Sequence, residues 1–136
     1  MWVRLRTDGA CDGMPVQVLT GRLERLKGLL GTRPDACPVL LTCCNSVHTF
    51  GMHYALDLAF VDERGCVRKS LRQVGPKRLR SARHAVYVIE RPCKAGEWLT
   101  CGQKVELETQ QRFEALQLRS IVKVKFQRKE GKPCVR

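Results

Sequence analysis

No stretch of this sequence approaches the roughly 18 consecutive apolar residues of a membrane-spanning helix, so no transmembrane segment is expected. The opening MWVRLRTDGACDG lacks the uninterrupted apolar core of a secretory leader, and a soluble, cytoplasmic monomer is the expectation. There is no CxxC pair. The cysteines at 11, 37, 43, 44, 66, 93, 101 and 134 are even in number, but a disulfide framework needs a secretory context, so they read as reduced thiols, several buried as small hydrophobes. Phosphate-cradling glycine loops are missing too: Gly9, Gly13, Gly28 and Gly31 stand alone at turns or caps. Aromatic residues make up only 6% and do not interleave in sequence with the basic stretches, which argues against single-strand binding by stacking. No helix-turn-helix or finger signature is present, and neither repeats nor low-complexity tracts occur.

Acids are scarce as well, and what is abundant is positive charge. The formal net charge is +12, which favours an anionic partner: nucleic acid, an acidic lipid surface or an acidic protein. The charge is uneven. Arg64, Arg68, Lys69, Arg72, Lys77, Arg78, Arg80 and Arg83 precede Ile89 without one acid among them. From Gln110 onward Arg112, Arg119, Lys123, Lys125, Arg128, Lys129, Lys132 and Arg136 face only two acids, Glu114 and Glu130. The candidate anion contacts are Lys77, Arg78, Arg80 and Arg83 in the first stretch, and Lys123, Lys125, Arg128 and Lys129 in the second.

A length of 136 residues points to one domain with room for a real core. Trp2–Arg6 alternates as a short strand, Val16–Leu19 is the next, and Val39-Leu40-Leu41 is a continuous apolar run suited to a strand buried on both faces. Leu23, Leu26, Leu29 and Leu30 recur at helical spacing after a Thr20 N-cap, predicting a helix over 21–30, packed by its leucine face. The centre of the chain is VHTFGMHYALDLAFVD, residues 47–62. From Leu56 it reads as a strand, with Leu56, Leu58 and Phe60 on one face and Asp57, Ala59 and Val61 on the other. Asp62 to Gly65 turns the chain into a hairpin partner running from Cys66 to about Val74. Lys77–Arg83 reads as a basic loop, Ala85–Glu90 as a strand, and Glu97–Cys101 with Lys104–Leu107 as one or two closing strands. Beyond it, Gln110–Leu118 has a weak helical pattern and Ile121–Phe126 alternates as an edge strand. These elements predict a mainly β (α+β) fold: a compact, mainly antiparallel β-sandwich or partly open barrel of seven to eight short strands with one short helix.

The pattern VHTFGM…LD…FVD, followed by a glycine turn, resembles the bacterial and archaeal domain of unknown function family 192. Arg25-Leu26-Lys27-Gly28-Leu29-Leu30-Gly31 is similar to that family's Arg-x-x-Gly-Leu-Leu-Gly segment. Pro76, Val88-Ile89-Glu90 with Gly96, and Gly102 to Leu107 resemble its later landmarks, so the likeness runs from Val16 to Leu107. It implies a single β-rich domain over 1–107, with 108–136 as a basic, partly ordered C-terminal extension. It also implies an accessory or binding role linked to pilus-like secretion or envelope systems, rather than an enzyme. Two positions depart from the pattern: Ala55 stands where the family has proline, and Gln103 where it has aspartate. Whether they remove part of a shared site is left open by the sequence.

Within the central motif, His48, Thr49, Met52 and Asp57 form the candidate ligand or structural site. Asp57 between two leucines is expensive to bury alone, so the structural expectation is that it accepts loop amides or pairs with an arginine. Cys43, Cys44, His48 and His53 offer thiolate and imidazole for zinc, but their spacing is not that of a known finger and a strand would send neighbours to opposite faces. Cys44, His48 and Asp57 can also be drawn as a thiol nucleophile, base and orienter, without any hydrolase signature around them. No metal, cofactor or catalytic residue is therefore expected. The alternatives kept open are a basic module holding nucleic acid non-specifically, and a cryptic metal protein or enzyme using His48 and Asp57.

Overall fold

In the computed structural model, the structure describes residues 1–9, 11–109, 123–124 and 134–135. Its strands are β1 (Trp2–Arg6), β2 (Met14–Leu19), β3 (Val39–Thr42), β4 (Cys44–His48), β5 (Leu56–Asp62), β6 (Val67–Val74), β7 (Leu79–Ser81), β8 (Ala85–Pro92), β9 (Glu106–Thr109), β10 (Lys123–Val124) and β11 (Cys134–Val135). Among the described residues one helix, α1 (Arg22–Lys27), interrupts them. An eight-stranded sheet has the order β10-β9-β1-β2-β3-β8-β5-β6, and a three-stranded sheet the order β11-β4-β7. All neighbours in the large sheet are antiparallel except β2 and β3, whose parallel pairing requires the long crossover that carries α1. The fold is mainly β, as the alternating strands imply.

The large sheet curls without closing. Its two ends approach at one corner, where Cys66 bridges to Lys104, the Val67 amide donates to the Gln103 carbonyl at 2.9 Å, and the Val105 amide donates to Gly65 at 2.7 Å. Gly65 is required there: its φ is +80°, and a Cβ would stand 2.5 Å from the Val105 carbonyl oxygen. Asp62 builds the same turn by accepting the amides of Arg64 and Cys66 at 2.9 and 3.0 Å.

The period of two divides the buried residues into two cores. Leu40, Ala59, Val61, Tyr87 and Ile89 lie inside the curl with Val3, Leu5, Val16, Trp98, Leu99 and Leu107. Val39, Leu41, Leu56, Leu58, Phe60 and Val88 face the other way, against Cys44 and Val47 of the small sheet, Leu29 and Met52. The chain passes from the large sheet to the small one at Cys43, a non-glycine residue at φ 49° between β3 and β4. The segment Cys44–His48 beyond it is a strand of its own.

Other expectations need correction. The helix is six residues long with Gly21, not Thr20, at its N-cap, and the Glu24 carboxylate accepts the Gly21 amide at 3.3 Å. Gly28 ends it at φ 50°, ψ −123°. No residue of α1 is buried; Leu23 is 81% exposed and Leu26 49%. The leucine stripe needed the helix to continue through Gly28; once it stops, Leu29 drops into the core and Leu30 packs partly against it, while Leu23 and Leu26 stay outside. Lys77–Arg83, read as a loop, contains the short strand β7, and Glu97–Cys101 is not a strand although Trp98 and Leu99 are buried. The helical pattern at 110–118 lies outside the described residues. Lys123–Val124 is an edge strand paired with β9, and Cys134–Val135 pairs with β4. The seven cysteines up to Cys101 are free thiols.

Candidate functional site

Asp57 is fully buried, on the side of β5 facing the interior of the curl. Its cross-strand neighbour on β8 is Arg91, itself only 3% exposed, whose Nε donates to Oδ2 at 2.8 Å. From β6 comes Arg72, with Nη2 at 3.4 Å from Oδ2. The β5–β6 register slips between Leu56 and Leu58, and Gln73 in that irregularity takes φ 54°, aiming its amide at Oδ1 at 3.2 Å. Both kinds of partner expected for this carboxylate are therefore present. Burial pushes the Asp57 carboxyl upward, but hydrogen bonds from Arg91, the Gln73 amide and the Cys93 thiol outweigh it and hold the group below its ordinary value.

The two arginines also fasten the loop that follows β8. Arg91 Nη2 donates to Glu97 O at 3.2 Å; Arg72 donates to Gly96 O at 2.6 Å and Lys94 O at 2.7 Å. Trp98 lies with its ring centroid 4.4 Å from the Arg91 guanidinium carbon, and its Nε1 donates to Leu58 O at 3.2 Å. This is an electrostatic plug at one end of the interior core, with Asp57 and Arg91 buried and Arg72 reaching in from the surface. Its chemistry is structural: burial and the neighbouring Asp57 carboxylate push the Cys93 thiol up, the reverse of what a thiolate nucleophile needs.

The second assembly stands on the small sheet. Thr49 is fully buried; its Oγ1 donates to Gly75 O at 2.6 Å and accepts the Arg78 amide at 2.9 Å. Its own amide donates to Arg78 O at 2.8 Å, and its carbonyl accepts the Lys77 amide at 3.2 Å. One threonine thus clamps the turn after β4 to the start of the basic arm 75–83. Beyond the clamp, His48 pairs across the strands with Leu79, and the rings of His48 and Phe50 lie 5.7 Å apart, tilted by 39°. Phe50 is 54% exposed and Leu79 59%. Lys77, Arg78 and Arg83 are exposed and Arg80 half-buried; none of the four makes an ion pair among the described residues.

The predicted site residues therefore separate. Met52 is core, in contact with the Leu56–Phe60 face. His48 and Thr49 belong to the small sheet and its following turn, and Asp57 to the large sheet, so they do not converge. Gln103 does turn work: its Oε1 accepts the Thr100 amide at 3.1 Å and its Nε2 donates to Asp8 at 3.1 Å. Ala55 offers its carbonyl to the Cys93 amide at 2.9 Å. Among the described residues no group of three or more His, Cys, Asp and Glu side chains is placed to hold a metal ion. Lys125, Arg128 and Lys129 lie outside the described residues, and Lys123 is placed by its backbone in β10. Sequence reasoning missed Arg91, although the charged pair Glu90-Arg91 inside the apolar run Ala85–Cys93 marked it; both are buried. It also missed Phe50, whose ring lies beside that of His48, and Leu79, which the β4–β7 pairing sets opposite His48.

No family model matches the chain, and no curated protein matches it. Two solved structures share its fold. One, described as a putative transcription regulator (R01717) from Sinorhizobium meliloti 1021, superposes with a TM-score of 0.63 at 21% identity, over 78% of this chain and 92% of that one. The other, a protein of unknown function from Novosphingobium aromaticivorans DSM 12444, gives 0.61 at 16% identity, over 75% and 82%.

Proposed function

We propose that this chain is a non-catalytic binding domain, a member of the domain of unknown function family 192, that holds an anionic macromolecule on its basic arm. The observation that carries the reading is that Lys77, Arg78, Arg80 and Arg83 have no acidic partner among the described residues while sitting on an arm anchored by hydrogen bonds to Thr49. An anchored row of unneutralised cations is a recognition surface in which the ordering cost is met by folding, before a partner arrives. By contrast, the buried acid that a catalytic reading would use, Asp57, already satisfies two arginines and an amide.

The test is retention on immobilised heparin. Replacing the four cations by glutamine should shift elution to markedly lower salt, because each neutralised anionic group releases counterions and steepens the salt dependence. Unchanged elution of that variant would remove the arm from the interface.

A further inference from the structure

Resting on that reading, we propose that the anionic partner is single-stranded nucleic acid, and that Phe50, beside His48, is the platform on which a base stacks while the arm holds the backbone. Phe50 and the cations are about thirty residues apart in sequence, and Thr49 brings them together: it precedes Phe50 directly and bonds the backbone of Gly75, Lys77 and Arg78. The result is a ring 54% exposed, a second ring 5.7 Å from it, an exposed leucine across the strand pair, and uncompensated cations. Aromatic faces beside a positive track are the general device for holding single strands, because every base has a π-face whatever its identity.

Two features favour this occupant over others that are also negative. An acidic peptide would most simply add as a strand to β7, the outer strand of the small sheet. The outward carbonyls there are already taken: Leu79 O accepts Arg80 Nη1 at 2.9 Å and Ser81 O accepts Lys69 Nζ at 3.0 Å. An added strand would have to share or displace both side chains. A regular duplex, in turn, keeps its bases stacked inside and offers no face to Phe50.

The experiment measures binding of fluorescein-labelled oligothymidylate, the corresponding duplex, heparin, and phosphatidylcholine vesicles with and without phosphatidylserine, by wild type, Phe50→Leu and Phe50→Ala. Phe50 is exposed, so both variants are expected to fold. Leucine keeps apolar bulk but has no ring. Expected is single-strand binding that falls with salt, stronger than duplex binding, and weakened about tenfold or more in Phe50→Leu while heparin binding is unchanged. Equal oligonucleotide binding by Phe50→Leu and wild type, or equal binding of duplex and single strand, would overturn the stacking platform and leave the anionic surface standing. Oligonucleotide indifference with vesicle binding that Phe50→Leu keeps and Phe50→Ala loses would replace it by a lipid surface. Failure to bind heparin and oligonucleotide alike, even at low salt, would remove the underlying reading itself.

Discussion

Two groups of basic residues lie within twenty positions of one another in sequence and have opposite fates. Arg72 and Arg91 point at a buried carboxylate, share it, and hand their remaining donors to carbonyls of the 94–97 loop. Lys77, Arg78, Arg80 and Arg83 stand on an arm whose backbone is tightly bonded and whose charges are not neutralised. In the net charge all six count alike. What separates them is whether an acid lies across the strand pair: Asp57 is directly opposite Arg91, whereas Val47 is opposite Arg80. Charge opposite charge inside a fold becomes architecture; charge with no acid across the strand pair stays unneutralised.

The largest effect expected on the architectural side is from Asp57→Ala. It strands Arg91 in an apolar interior, and breaking one half of a buried pair costs about 3–5 kcal/mol. The denaturant midpoint measures it, and a wild-type midpoint would erase the distinction between the two groups. The same carboxylate predicts an acid limb. Its pKa is lowered in the fold, so its contribution is complete above the ordinary carboxylate value of about 4 and is lost as pH falls through the depressed folded value. Asp57→Asn should flatten that part of the stability–pH curve; an unchanged acid limb would assign it to other carboxylates.

Thr49→Val comes next, since it keeps the shape of the clamp and deletes the side-chain bonds to Gly75 O and from the Arg78 amide. Those bonds are part-buried, so losing them costs about 1 kcal/mol each, near the net worth of an ordinary hydrogen bond. Heparin affinity should fall with it, although every cation remains, if anchoring of the arm matters. Stability lost without affinity would show that the cations act as loose charges.

The smallest effects are expected at the surface. Glutamine at each of Lys77, Arg78 and Arg83 should leave stability within about 0.5 kcal/mol, as should Leu26→Ala on the solvent side of α1. A loss of several kcal/mol at Leu26 would restore the packed helix that the leucine spacing predicts.

Alternation and turn chemistry in the sequence determine the β character of this protein, the hairpin of β5 and β6, the strand at Val39–Thr42 buried on both faces, and the division of residues 56–61 between two cores. Those are properties of adjacent residues, which a period of two and a glycine turn encode locally. Net charge and the cost of burying Asp57 are legible in the same way. The length of α1 was not, because whether a helix passes through Gly28 depends on where Leu29 finds its cover. Nor was the site. Asp57 meets Arg91 across 34 positions through the register of β5 and β8, and Thr49, the neighbour of Phe50, bonds the backbone of the arm at Gly75, Lys77 and Arg78. A strand's sequence states which face each side chain takes; only the assembled sheet decides which residue lies opposite, an acid for Arg91 and a valine for Arg80.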